Sequence, residues 1–302
     1  MISLFQYNRV AAAFLVLLIH LPFQPSTPFV SGLKNSAVPL FACMAGYLYK
    51  GEIRKKFGRI FIPYCIWAVV YFLANNVLFD VLVKRQQFCF PGLDEWLLGG
   101  TAAHLWFLPS LLVAFALTSV VRLFGATGVR SRLAWGGVLL ALGAATQFLP
   151  ANASGPVVEY VRLYSGRLLL FFSIGWILRP LLQDRWAKAT VVVGGICTVV
   201  GLVNLAVGIL PGLSWRPLLF VVGMMILSVG CGTFRVPRTV ERLAANTMGI
   251  YLVHLLFTSV AAALLARCGY ARLSVGVGFP LALVLFFMSY TCARILPKWM
   301  KG

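Results

Sequence analysis

The chain reads as an all-α, polytopic membrane protein of about ten transmembrane helices, and three observations predict it. Its 302 residues are 61% hydrophobic and only 11% charged, too apolar to be solvated as a soluble globule. Ten apolar runs of roughly the 20 residues that a span requires lie near 8–23, 34–49, 59–79, 104–123, 133–149, 160–180, 189–208, 215–231, 243–266 and 275–296. The 26 basic residues, which with 7 acidic ones give a net charge of +19, collect between those runs. That distribution marks topology and argues against a nucleic-acid surface, which gathers its charge on one polar face.

Orientation follows from counting. With the N-terminus inside, the inner segments carry Lys50, Arg54, Lys55, Lys56, Arg59, Arg122, Arg130, Arg132, Arg179, Arg185, Lys188, Arg235, Arg238, Arg242, Arg294, Lys298 and Lys301, seventeen in all. The outer segments carry eight: Lys34, Lys84, Arg85, Arg162, Arg167, Arg216, Arg267 and Arg272. The bias places both termini in the cytoplasm. Apart from roughly 80–103 the connections are short, so residues 1–302 are expected to form one integral-membrane domain whose chemistry lies within the spans. The first run has no small-x-small cleavage site and is followed by Pro22, Phe23 and Gln24; it is read as a retained helix.

Helix 1 contains Arg9 and His20 in an otherwise apolar run. Eleven helical steps come to about 20° past three turns, so both side chains leave from nearly one face, about 16 Å apart along the axis. Such polar groups in a span usually face a protein-lined cavity; the simpler reading makes Arg9 a positive-inside anchor and His20 a satisfied histidine. Between them Ala12, Ala13 and Val16 either leave room for a ligand or serve as a helix-packing strip.

The third span opens with Arg54-Lys55-Lys56-Phe57-Gly58-Arg59. Lys56 and Arg59, three apart, can address one anionic group, either a lipid phosphate or that of a soluble ligand. His104-Leu105-Trp106-Phe107-Leu108 opens the fourth span, where an interface belt accounts for the aromatics but not for the histidine. The sixth span begins with Tyr160, Arg162, Tyr164 and Arg167, a set suited to an anionic or sugar-like acceptor or to lipid contact by snorkelling. In the ninth, Thr247, Tyr251, His254 and Thr258 recur at spacings of four, three and four, a polar stripe that either meets a ligand or joins helices. His254 is placed about halfway along that helix.

The chain's three histidines, His20, His104 and His254, map to the same half of the membrane and are expected to converge on one cavity. Gly-x-Ser-x-Gly, His-Glu-x-x-His and the phosphate-binding Gly-rich loop are all missing. None of the seven acids lies deep in a span, which weakens proton-coupled transport. Three histidines without a carboxylate or thiolate pattern predict no metal site. Seven cysteines without a Cys-x-x-Cys pair suggest no redox framework; Cys89 and Cys268, both outside, are the one pair open to a disulfide.

Taken together these motifs make the sequence resemble the acyltransferase-3 family of bacterial membrane O-acyltransferases, nearly end to end. The marks are Arg9-x10-His20, Val38-Pro39-Leu40-Phe41 with Ala45-Gly46-Tyr47-Leu48, the basic pair before Ile62-Pro63-Tyr64, His104-Leu105-Trp106-Phe107-Leu108, and Met248-Gly249-Ile250-Tyr251-Leu252-Val253-His254. The family commonly has Arg-x-x-Arg where this chain has Lys56-x-x-Arg59, and Ser-Gly-Tyr where it has Ala45-Gly46-Tyr47. It has an aspartate three positions before the helix 1 arginine where this chain has Gln6, which leaves the orientation of Arg9 to be explained.

The resemblance implies transfer of an acyl group, most often acetyl, from cytoplasmic acyl-CoA to a hydroxyl of a glycan or similar acceptor at the outer face of the bacterial inner membrane. It implies no permanently bound cofactor, and the hydrolase-like periplasmic domain fused to some members is missing from this sequence. On that reading Arg9, Lys56 and Arg59 take the CoA phosphates, and His20 is the general base, since imidazole titrates near neutral pH. His254 orients the acceptor or the acyl carbonyl, and His104, Trp106, Tyr251, Arg162 and Arg167 hold the acceptor. Expected partners are acyl-CoA, a glycan or lipid-linked sugar and membrane lipid, with no nucleic acid; a homo-oligomer is left open. The competing class is a translocase of a glycan or lipid-linked carrier, in which histidines and tyrosines merely bind cargo.

Overall fold

The structure, a computed structural model, describes residues 2–21, 27–75, 92–93, 95–99, 101–102, 104–125, 128–150, 155–182, 187–210, 215–270 and 272–301. Among the described residues the fold is all-α, without a strand. Five helices are long and apolar enough to cross a membrane: Ile53–Asn75, Val157–Leu182, Lys188–Val207, Thr247–Arg267 and Gly276–Ile295. Ser3–Ile19, Phe107–Leu123 and Leu218–Gly230 are shorter and equally apolar in kind. Each run expected from the sequence contains helix. The helices gather into two compact units, Met1–Leu48 with Phe171–Ile295, and Tyr49–Leu170 with Leu296–Gly302.

In the first unit α1 (Ser3–Ile19) is tied at its start to the segment that follows α10 (Leu218–Gly230). The Ser3 amide donates to the Gly232 carbonyl at 3.1 Å, and its hydroxyl both donates to the Phe234 carbonyl and accepts from the Phe234 amide, each at 2.7 Å. The second half of α1 and the residues that follow it pack Ala13, Leu17, Leu18 and Leu21 into a core with Ile250 of α12 (Thr247–Arg267) and with Ala282, Leu285, Phe286 and Ala293 of α13 (Val275–Ile295).

Two expected runs are broken. The run 34–49 is two helices, α2 (Pro28–Asn35) and α3 (Ala37–Leu48), meeting at Ser36. Pro39 has no amide hydrogen for the Asn35 carbonyl four residues back, so a continuous helix would lose that bond; the Ser36 hydroxyl instead donates to the Leu33 carbonyl at 2.6 Å. The run 243–266 begins later than expected, because Asn246, at φ −106°, separates α12 from the short α11 (Arg238–Ala245). His254 therefore stands seven residues, about 10 Å, into α12 rather than halfway along it.

Glycines decide which helices touch. A Cβ on Gly46 of α3 would run into the Phe172 carbonyl of α8 (Gly166–Leu182), and one on Gly175 of α8 into the Cys43 carbonyl, so these helices cross backbone to backbone. In the α9 (Ala187–Val207) and α10 hairpin, Gly194, Gly201, Gly223 and Gly230 each face backbone of the partner helix. Lipid tails are as apolar as any side chain, so helices in membranes associate through close packing, which small residues permit. The hairpin is closed by the buried Asn204, which donates to the Arg216 carbonyl at 2.7 Å and accepts from the Leu210 amide at 2.8 Å.

The second unit contains α4 (Ile53–Phe72), α5 (Phe107–Leu123), α6 (Val129–Ala145), α7 (Pro156–Tyr160) and the four-residue α14 (Lys298–Lys301). The turn before α4 uses Gly51 at φ +91°, a conformation L side chains rarely adopt, and Arg122 of α5 donates to the Lys50 carbonyl there. Trp67 of α4 donates its indole N–H to the Met300 carbonyl at 2.9 Å, so α14 lies beside the second half of α4.

Candidate active site

In the first unit the structure brings together two residues 234 positions apart. The rings of His20, which caps the C-terminal end of α1, and His254 have centroids 5.2 Å apart at 48°. The α1 end is held by the His20 amide, which donates to the Leu17 carbonyl at 3.1 Å. His254 is 1% exposed and His20 half-buried. The Nδ1 atom of His254 lies 2.6 Å from the Tyr251 carbonyl one turn back. A carbonyl oxygen can only accept, so Nδ1 carries the hydrogen, and the neutral ring presents Nε2 as an acceptor.

The polar stripe of α12 faces inward: Thr247, Tyr251, His254 and Thr258 are all buried. Its two threonines bond within their own helix, Thr247 to the Ala244 carbonyl at 3.0 Å and Thr258 to the Leu255 carbonyl at 3.2 Å. What the stripe offers the neighbourhood is therefore Tyr251 and His254. Arg9 is half-buried, eleven residues before His20. The strip between them is packed, with Ala12 at 0% and Ala13 and Val16 at 3% exposure. Of the two readings of those small residues, helix packing is the one the structure adopts.

The second unit holds the other expected residues. His104 is buried at the entry to α5 with its ring edge-on to Tyr71, centroids 4.9 Å apart. Trp106 and Tyr164, both half-buried, meet with ring centroids 4.6 Å apart and planes tilted by 32°. Tyr160 is buried against them, its hydroxyl 2.7 Å from Ser110 Oγ. Arg162 and Tyr164 lie in a π-helical turn, Val161–Ser165, and Arg167 at the start of α8 follows it; Gln147 donates to the Arg162 carbonyl at 3.2 Å. Single π turns are frequent at functional sites because the extra residue re-aims the side chains around it. Lys56 is half-buried and Arg59 exposed on the first two turns of α4. Lys55 is exposed and pairs with Glu52 at 3.1 Å.

Of the three histidines, then, His20 and His254 meet, whereas His104 belongs to the second unit and has Tyr71 as its neighbour. Among the described residues no three His, Cys, Asp or Glu side chains gather to hold a metal ion. Cys268 is exposed, while Cys89 lies outside the described residues, as do Lys84, Arg85 and residues 22–24.

Sequence reasoning missed Asn8 and Ser228. Asn8 Nδ2 donates to Ser228 Oγ at 2.8 Å in the buried contact of α1 with α10. The signal was present: each is a polar residue inside an apolar span.

Searches of curated proteins and of solved structures return no match. A family model described as an acyltransferase domain matches residues 5–296, nearly the whole chain, and includes every residue discussed above except the first turn of α1 and the C-terminal turn. By that match and by its helices of membrane length, this chain belongs to the acyltransferase-3 family and is a membrane acyltransferase.

Proposed function

We propose that the protein is an O-acyltransferase that moves an acyl group, acetyl in the first instance, from cytoplasmic acyl-CoA to a hydroxyl of a glycan or similar acceptor at the outer face of the bacterial inner membrane, and that residues 1–302 act as one domain. The observation that carries this reading is the contact of His20 with a His254 whose tautomer is set by the Tyr251 carbonyl. His20 takes the proton of the acceptor hydroxyl as its oxygen attacks the thioester carbonyl; the C–S bond breaks, and the thiolate leaves with the proton that His20 has collected. His254, with Nε2 as an acceptor, cannot donate a hydrogen bond to the acyl carbonyl from that atom. Its role is to receive one, from the His20 ring.

Lys56 and Arg59 of the second unit are the residues we assign to the donor's phosphates. The packed strip of Ala12, Ala13 and Val16 supports a route for the pantetheine arm along some other surface than that face of α1. Trp106 and Tyr164 form a tilted aromatic pair that we assign to a sugar ring, with Arg162, Arg167 and His104 of the same unit completing the acceptor contacts.

Purified protein given acetyl-CoA and a glycan acceptor should release free CoA thiol, and Lys56→Gln with Arg59→Gln should weaken donor binding in a salt-dependent way. A protein that moves the glycan across vesicles without releasing thiol is a translocase, and an unchanged donor affinity in the double variant makes the pair lipid anchors. Both termini are assigned to the cytoplasm on the basic count. The docking of α14 beside Trp67 favours the opposite side for the C-terminus. A reporter fused after Gly302 that is active only outside the cytoplasm decides for the second placement.

A further inference from the structure

We propose that Asn8 is a positioning residue: through its hydrogen bond to Ser228 it sets the rotation of α1 about its own axis, and with it the direction in which His20 leaves that helix. This rests on the reading of His20 as the general base. Asn8 is 4% exposed and Ser228 0%. The Ser228 hydroxyl donates to the Met224 carbonyl of its own helix at 2.5 Å, so its oxygen is the acceptor and Asn8 Nδ2 the donor, at 2.8 Å. Donor and acceptor roles are thus both assigned, and the bond has one direction.

The rest of the inward surface of α1 beyond Asn8 is Ala12, Ala13, Val16, Leu17 and Leu18, all buried. Apolar packing of this kind is non-directional, and such a strip tolerates rotation far better than a buried polar pair does. The Ser3 hydrogen bonds to Gly232 and Phe234 hold the helix at its first residue. Asn8 adds a second fixed point one and a half turns on, and two points define an azimuth. His20 lies twelve residues further, about 18 Å along the axis. A rotation of about 20° carries a ring some 6 Å from the axis through about 2 Å. A misplacement of about 1 Å at a reacting group can lower the rate about 100-fold.

The test uses the full-length protein in detergent or proteoliposomes. Asn8→Ala is expected to lower kcat about tenfold or more while the donor KM changes less than about twofold. Asn8→Ala with Ser228→Ala should be no worse than the single change, and Asn8→Ser with Ser228→Asn, which restores the pair with roles exchanged, should regain most of the turnover. A second readout is independent of the chemistry. In a His20→Cys background, the rate at which position 20 is alkylated by a membrane-permeant maleimide, read from its peptide by mass spectrometry, should shift at least about threefold when Asn8→Ala is added. An unchanged labelling rate overturns the proposal whatever turnover does, since a loss of activity would then reflect stability alone. Normal kcat in Asn8→Ala beside an inactive His20→Ala overturns it as well. If His20→Ala itself remains active while the labelling rate responds to Asn8, the catalytic reading of His20 fails and the positioning of α1 by Asn8 stands.

Discussion

His20→Ala lowers turnover by at least about two orders of magnitude, the usual contribution of a general base, while the protein stays folded and still binds donor. The expectation follows from where the residue sits. His20 caps the C-terminal end of α1, half-buried, and is in ring contact with His254. Removing its ring leaves the core of Ala13, Leu17 and Leu18 against α12 and α13 untouched, so the thermal midpoint should move little. Because the lost interaction belongs to the transition state, kcat and kcat/KM fall together. His254→Ala is the necessary companion. Its ring is almost fully buried and tied to the Tyr251 carbonyl, so its removal opens a cavity and lowers stability as well as turnover. A folded His20→Ala protein with near-normal transfer, beside an inactive but folded His254→Ala, would move the base to α12.

Gly46→Leu should abolish activity by a different route, loss of the fold. The Cβ it introduces runs into the Phe172 carbonyl, and the next nearest atoms are also backbone, Phe172 C at 2.8 Å and Trp176 N at 3.1 Å. No side-chain rotamer can relieve such an overlap; α3 and α8 must move apart. Overpacking of a well-filled interior destabilises by about 1–3 kcal/mol when side chains can adjust, and at a backbone crossing the upper end of that range or beyond is expected. Gly175 faces the Cys43 carbonyl across the same crossing, so the displacement would spread along both helices. Gly137→Leu on α6, where nothing lies within 4 Å, is the control. Monodisperse yield and thermal midpoint in detergent measure the difference, and a Gly46→Leu protein as stable as Gly137→Leu would refute the crossing. The family mark Ala45-Gly46-Tyr47 thus has a mechanical reading at its centre: the glycine is the point of closest approach of two helices.

Much of the fold is legible in the amino-acid order. Helix class and span positions follow from hydropathy, which is a local property, and every expected run contains helix. Breaks at Ser36 and Asn246 were missed because a hydropathy window averages over single residues, although Pro39 carried a signal for the first of them. The inward-facing stripe of α12 was readable from spacing alone, since a period near 3.6 places its members on one face.

By itself the sequence determined the membrane class and the family, and it singled out Arg9, His20, Lys56, Arg59, His104 and His254 as candidates. Their types are rare in apolar spans, and rarity shows without a partner in view. Only the tertiary structure decided that His20 meets His254, that the strip of Ala12, Ala13 and Val16 is closed, that Nδ1 of His254 faces a carbonyl, and that Asn8 finds Ser228. The physical reason is that hydropathy commits a helix to the bilayer without choosing its neighbours. That choice rests on close contact between small residues and on single polar pairs far apart in the chain, which no local pattern encodes.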